Sequence, residues 1–287
     1  MLYKFIDLDY NKVITNEDKE KKLKYSLTRF PCGEYAFRIE EDINNYNINI
    51  YQKFFVGSFN DDLIKLQIVC NVLKKHNIKK INYFAPFLPY TRQDKDNNKN
   101  ISFGLKLLVE IINNCNIKQI ETYDIHNQEK NDLFNCKIIN KSAIPLFIEK
   151  ISSIFRLDEC VIIFPDVGAN NRFYNFFKQK QYNIAILQKT RNEGKITIEN
   201  KTEINYKKTA IIIDDIIDSG NTIYYSIQLL KKYNIKNIYI YATHGLFSGH
   251  AIEKLKNIEE IKKITITNSL HQNSNLLDDK FEIIDIG

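Results

Sequence analysis

The stretch AIIIDDIIDSGNTI, residues 210–223, decides the fold. Apolar residues 210–213 read as a buried strand that ends at two adjacent carboxylates, Asp214 and Asp215. Asp218, Ser219, Gly220, Asn221 and Thr222 then read as a turn opening a helix. Strand, turn and helix in that order form the repeating unit of an open parallel sheet, where ligands gather at the carboxyl ends of strands. The turn would present backbone N–H groups, with the hydroxyls of Ser219 and Thr222, to an anion at the positive end of the helix. Asp214 and Asp215 would repel that anion and suit sugar hydroxyls or a divalent cation instead. A phosphorylated sugar meets both demands, its phosphate at the turn and its vicinal diol at the carboxylates. The plainer alternative is an ordinary helix cap with Asp218 as the cap residue.

The same alternation of apolar runs and amphipathic segments continues outward. Residues 48–56, 81–84, 117–123, 161–164, 184–187, 238–242 and 264–267 read as further strands. Helices are expected over 62–76, 102–115, 144–153, 169–178, 222–233 and 248–256. This is an α/β pattern of mainly parallel sheets flanked by helices. A second carboxylate-bearing turn, FPDVGANNR (164–172), follows the run 161–164. The polar segment KTRNEGKITIENKTEIN (189–205) reads either as a hairpin or surface loop, or as a lid carrying basic residues.

At 287 residues the chain is long enough for two domains, with a boundary near 140–142. Hydrophobic residues make up 44% and charged residues 26%, which excludes a largely disordered chain. No run of apolar residues is long enough to span a membrane, and the start MLYKFIDLDYNKV has no secretory core. The lysines behind the net charge of +6 are scattered, which fits small phosphorylated ligands better than nucleic acid. Five cysteines without a C-x-x-C pair point to free thiols in a reducing cytoplasm rather than to a disulfide framework or zinc site. His76, His250 and His271 read as surface or loop residues.

The stretch 210–223 resembles the phosphoribosyl-diphosphate motif of type I phosphoribosyltransferases and of ribose-phosphate diphosphokinases (PRPP synthetases). Five other segments are similar to the diphosphokinases, in that family's order. They are RFPCGE (29–34), APFLPYTRQDK (85–95), YDIHNQ (123–128), FPDVGANNR and ATHGLFSG (242–249). The RQD segment and the two-domain length argue against a simple phosphoribosyltransferase.

The resemblance implies two similar phosphoribosyltransferase-type domains with the active site between them. Residues 1–142 would form the nucleotide-binding domain and 143–287 the domain with the ribose-phosphate loop, the last residues packing back on the first domain. It implies Mg2+-dependent transfer of the β,γ-diphosphoryl group of ATP to the anomeric hydroxyl of ribose 5-phosphate, giving PRPP and AMP. Phe30, Glu34, Arg92, Gln93, Asp94 and His126 would bind ATP, with Phe30 donated to a neighbouring subunit. Lys189 and Arg191 match the catalytic K-x-R pair, and His126 and Asp166 match the metal and triphosphate ligands. Asp214, Asp215 and 218–222 would hold the ribose phosphate. A homodimer or a hexamer of dimers is expected.

The chain departs from the family pattern in four places. Cys32 stands where an acidic or amide residue helps to recognise adenine. DNNKN (96–100) is short in a region tied to regulation, so weak or absent ADP and phosphate control is expected. EKNDLFNCKIIN (129–140) replaces the usual continuation after the DIH element. Ser219 and Asn221 replace Thr and Gly in the phosphate turn. That last change keeps open a larger acceptor such as ADP-ribose, and a catalytically silent regulatory homologue is the remaining alternative.

Overall fold

A computed structural model describes residues 3–13, 20–95, 103–189, 196–199, 208–272 and 278–287, with only the backbone for 188–189 and 196–199. The chain divides into two compact units, Met1–Lys141 with Ser269–His271, and Ser142–Asn268 with Gln272–Gly287.

The first unit contains β1 (Tyr3–Leu8), β2 (Glu20–Lys22), β3 (Tyr25–Arg29), β4 (Tyr35–Ile39), β5 (Asn47–Gln52), β6 (Phe54–Phe55) and α1 (Phe59–Leu73). After these come β7 (Lys80–Phe84), α2 (Gly104–Asn114), β8 (Gln119–Tyr123), a 3-10 turn (Gln128–Leu133) and β9 (Lys137–Lys141). Six strands form a parallel sheet in the order β2-β1-β5-β7-β8-β9. Successive side chains of β5 point to opposite faces. Gln52 meets α1 through the carbonyl of Asp62 at 2.9 Å and accepts from the Tyr83 hydroxyl at 2.6 Å. Asn49 donates to Glu20 at 2.7 Å and accepts from Asn82 at 2.8 Å, giving this unit a polar buried network beside its apolar core.

The second unit contains α3 (Ile144–Ile154), β10 (Cys160–Phe164), α4 (Val167–Gln179), β11 (Ile184–Lys189), β12 (Ile196–Glu199) and β13 (Thr209–Ile217). It continues with α5 (Asn221–Lys231), β14 (Asn237–Gly245), α6 (Ala251–Lys256), β15 (Ile261–Thr267) and β17 (Phe281–Ile284), while β16 (Leu270–His271) belongs to the first unit. The sheet order is β12-β11-β10-β13-β14-β15-β17, parallel except for the β11–β12 pair. Ile162 and Phe164 pack with Phe147 of α3 and Phe173 of α4. Val161 and Ile163 pack with Ile227 of α5 and Leu255 of α6. A parallel strand covered on both faces needs such a continuous apolar run.

Two expectations change. The strand from residue 210 does not stop at the carboxylates: β13 carries Asp214 and Asp215 inside it, because β14 continues the pairing as far as Ile217 opposite Gly245. β17 extends the second sheet beside β15, whereas Leu270 and His271 pair with Phe54 and Phe55 of β6. His271 is therefore a strand residue, stacked on the Phe55 ring with centroids 3.9 Å apart. No helix among the described residues is long and apolar enough to cross a membrane.

Candidate functional site

In the first unit, the RFPCGE segment is the turn between β3 and β4. The Phe30 N–H donates to the Glu34 carbonyl and the Gly33 N–H to the Phe30 carbonyl, both at 2.8 Å. Gly33 has φ +96°, a conformation that glycine adopts without a Cβ penalty. The turn holds Phe30 45% exposed with Glu34 exposed beside it, so Phe30 is not a core aromatic. Cys32 Sγ lies 3.6 Å from Glu34 Oε2, a weak contact.

The RQD and DIH elements meet. Asp94 is buried, and its Oδ2 accepts from Asn127 Nδ2 at 2.6 Å. Asn127 also accepts from the Glu129 N–H at 3.1 Å, capping the 3-10 turn. One carboxylate oxygen of Asp94 is thus committed to joining the segments that carry Arg92, Gln93 and His126. Arg92 and Gln93 are exposed, and His126 is half-buried after β8. The Gln93 carbonyl accepts from Leu105 at 3.1 Å, fixing the segment to the start of α2. Gly104 allows this fit, since a Cβ there would lie 2.5 Å from Gln93 Oε1 and 2.9 Å from the Tyr90 ring.

In the second unit, Asp166 is the N-cap of α4, its Oδ1 accepting from the Ala169 N–H at 2.7 Å. One turn along α4, Arg172 Nη2 reaches Asp215 Oδ1 at 2.8 Å and Asp214 Oδ1 at 3.8 Å. The Asp215 N–H donates to Asp214 Oδ1 at 2.9 Å. Burial, and then the neighbouring charge of Asp215, push the Asp214 carboxyl well above its ordinary range, with Asp166 adding in the same direction and Arg172 opposing.

Beyond this pair the phosphate turn is open. Gly220 is the N-cap of α5 at φ 71°, and it makes no side-chain cap bond to the first turn. Its orphan N–H groups are therefore available to an anion. Asp218 is not the cap; it accepts from the Ser248 hydroxyl. Gly220 carries the left-handed conformation, so Asn221 is simply the first helical residue, exposed with Ser219 and Thr222. Lys254 Nζ donates to Asn221 Oδ1 at 2.6 Å and to the Ser219 carbonyl at 3.4 Å.

Lys189 ends β11, opposite Ile196 in an antiparallel pair, so this part of the polar segment is a hairpin. The Lys189 side chain, Arg191 and the short 96–100 stretch lie outside the described residues. Arg172, Asn127 and Lys254 were not among the expected site residues. Arg172 and Asn127 sit within the motifs FPDVGANNR and YDIHNQ, a signal that was available; Lys254 has no motif to mark it.

Comparison with known proteins places these features in context. Residues 9–115 match the family model described as the N-terminal domain of ribose phosphate pyrophosphokinase, and residues 180–287 match the phosphoribosyl synthetase-associated domain. The ribose-phosphate pyrophosphokinase of Aquifex aeolicus is 28% identical over 250 residues, covering 85% of this chain and 78% of its own. That of Halalkalibacterium halodurans is 29% identical over 267 residues, covering 92% and 83%. The crystal structure of phosphoribosylpyrophosphate synthetase from Mycobacterium smegmatis superposes with a TM-score of 0.83 over 92% of this chain and 87% of its own, at 23% identity, which shows a shared fold.

Proposed function

The chain belongs to the ribose-phosphate pyrophosphokinase family, and on that premise we propose that it transfers the β,γ-diphosphoryl group of ATP to the anomeric hydroxyl of ribose 5-phosphate, releasing AMP. The observation that carries the reading is the pairing, within one unit, of an α5 N-terminus capped only by Gly220 with the buried acid pair Asp214 and Asp215. The first receives a phosphate, and the second receives ribose hydroxyls. Arg172 holds the pair in place and offsets part of its mutual repulsion.

Arg92 and Gln93 suit the triphosphate, Arg92 because its guanidinium forks onto phosphate oxygens. Asp94, committed to Asn127, acts by positioning them. Phe30 and Glu34 stand on an exposed hairpin turn, where they can complete the adenine site of a second copy in a homodimer or hexamer. Lys189 and Arg191 would neutralise charge on the transferring group and exclude water as they close over it.

Mg2+ fits the donor set. Among the described residues no group of three or more His, Cys, Asp and Glu converges to cage a metal. A magnesium ion that keeps several waters and takes the rest of its oxygens from the nucleotide needs only one or two carboxylates. Asp166 can supply one through the oxygen not used in capping α4, with His126 contacting phosphate or a metal-bound water. When bound, the ion would neutralise the triphosphate and the departing AMP.

The test is to incubate the pure protein with MgATP and either ribose 5-phosphate or ADP-ribose, following AMP and product mass. AMP with PRPP supports the reading. A diphosphorylated ADP-ribose moves the acceptor, and no AMP with either leaves a silent homologue.

A further inference from the structure

We propose that Lys254 is a specificity-determining residue of the ribose-phosphate turn, which selects a dianionic phosphate monoester over a singly charged phosphate already joined to a second phosphorus at the same place. The inference deepens the function proposed above and rests on it.

The segment after β14 holds the turn at three points. The Ser248 hydroxyl donates to Asp218, Lys254 donates to Ser219 and Asn221, and Leu255 packs against Gly220, 3.4 Å from where a Cβ would stand. Lys254 is the one cation in this set. An ammonium has three donors and no acceptor, so it must face the Oδ1 of Asn221 and never its Nδ2. The Lys254–Asn221 bond of 2.6 Å therefore orients the amide and leaves its two N–H groups for another acceptor. An asparagine whose oxygen could face an incoming phosphate becomes a donor. A side chain at Asn221 is then compatible with anion binding in the very turn where it could have opposed it.

The same lysine places a positive charge one hydrogen bond from the orphan N–H groups of α5. Half-buried Lys254 is less fully screened than a free surface lysine. Its attraction grows with the charge of the ligand. A phosphate monoester carries about −1.5 to −2 near neutral pH, whereas the ribose-bound phosphorus of ADP-ribose, joined to a second phosphorus through an anhydride bridge, carries a single charge. Lys254 thus favours ribose 5-phosphate.

The experiment measures KM and kcat for both acceptors, and ribose 5-phosphate binding by calorimetry without ATP, in wild type, Lys254→Met and Lys254→Arg. Lys254→Met is expected to raise KM and Kd for ribose 5-phosphate about tenfold, the loss of one charge-assisted contact. The change in kcat and in the KM for ATP should be much smaller, and so should any loss of ADP-ribose affinity. Lys254→Arg, which keeps the charge, should restore most of the binding. Equal losses for both acceptors, a fall in kcat with unchanged KM, or no change in Lys254→Met overturns the proposal. Wild-type protein that binds ribose 5-phosphate but releases no AMP overturns the catalytic reading alone, and calorimetry then still decides the role of Lys254. Wild-type protein that binds neither acceptor overturns both. If Lys254→Met does not fold, Lys254→Gln serves in its place.

Discussion

Replacing Arg172 with methionine keeps most of the side-chain length and removes the guanidinium that faces Asp215 at 2.8 Å and Asp214 at 3.8 Å. Both carboxylates are buried, at 3% and 6% exposure, so neither can turn to water. Removing one partner of a buried ion pair costs about 3–5 kcal/mol. The lower end applies here, because burial and Asp215 already raise the pKa of the Asp214 carboxyl, which can relieve the repulsion by taking up a proton. A loss of about 3 kcal/mol corresponds to a midpoint lowered by about 6–12 °C at the usual scaling for this size. The pH dependence follows from the direction of the shift. A carboxyl whose folded pKa is raised contributes fully below its unfolded value of about 3.9 and loses that contribution as pH rises through the folded value. Arg172 opposes the rise, so its removal enlarges the loss. Urea unfolding of wild type and Arg172→Met at about pH 8 and about pH 5 reads this directly, with the larger gap expected at the higher pH. The double variant Arg172→Met/Asp214→Asn should recover at least half of the loss. A gap below about 0.5 kcal/mol, of the size seen for ordinary surface substitutions, would refute the assigned role of Arg172. A gap that widens toward acid would refute the charge argument.

Three further outcomes are expected. Gly104→Ala gains about 0.5–1 kcal/mol of helix propensity but drives a methyl into Gln93 and Tyr90, so KM for ATP should rise several-fold with little change in thermal midpoint; an unchanged KM contradicts the placement of Gln93. Asn127→Ala leaves the buried Asp94 without its amide donor and should cost about 1–3 kcal/mol in urea unfolding, with a rise in the KM for ATP; a change in neither would separate Asp94 from the site. Lys189→Ala should collapse kcat while ATP affinity, measured by equilibrium binding, stays within a few-fold. Parallel losses of both would place Lys189 in ground-state binding instead.

The second unit was largely legible in the sequence because its strands are buried on both faces. Runs such as CVIIF (Cys160–Phe164) contain no polar residue to blur them. The β3–β4 hairpin was not, since Tyr25–Arg29 is half-buried or exposed throughout and carries no continuous apolar signal. β13 was read too short because adjacent carboxylates ordinarily mark a turn, whereas here pairing with β14 carries the strand past them. The site's motifs were visible as segments, but the contacts that organise them were not. Arg172 meets Asp215 across 43 positions of sequence and Lys254 meets Asn221 across 33, distances at which local pattern carries no information.

The most direct test of the central claim follows the phosphorus atoms. Phosphorus NMR of a reaction with ATP, Mg2+ and ribose 5-phosphate should show the β and γ phosphates leaving together, appearing as a diphosphate on the anomeric carbon in step with AMP. ADP with a singly phosphorylated new product, or ATP left intact in the presence of ribose 5-phosphate, would contradict it.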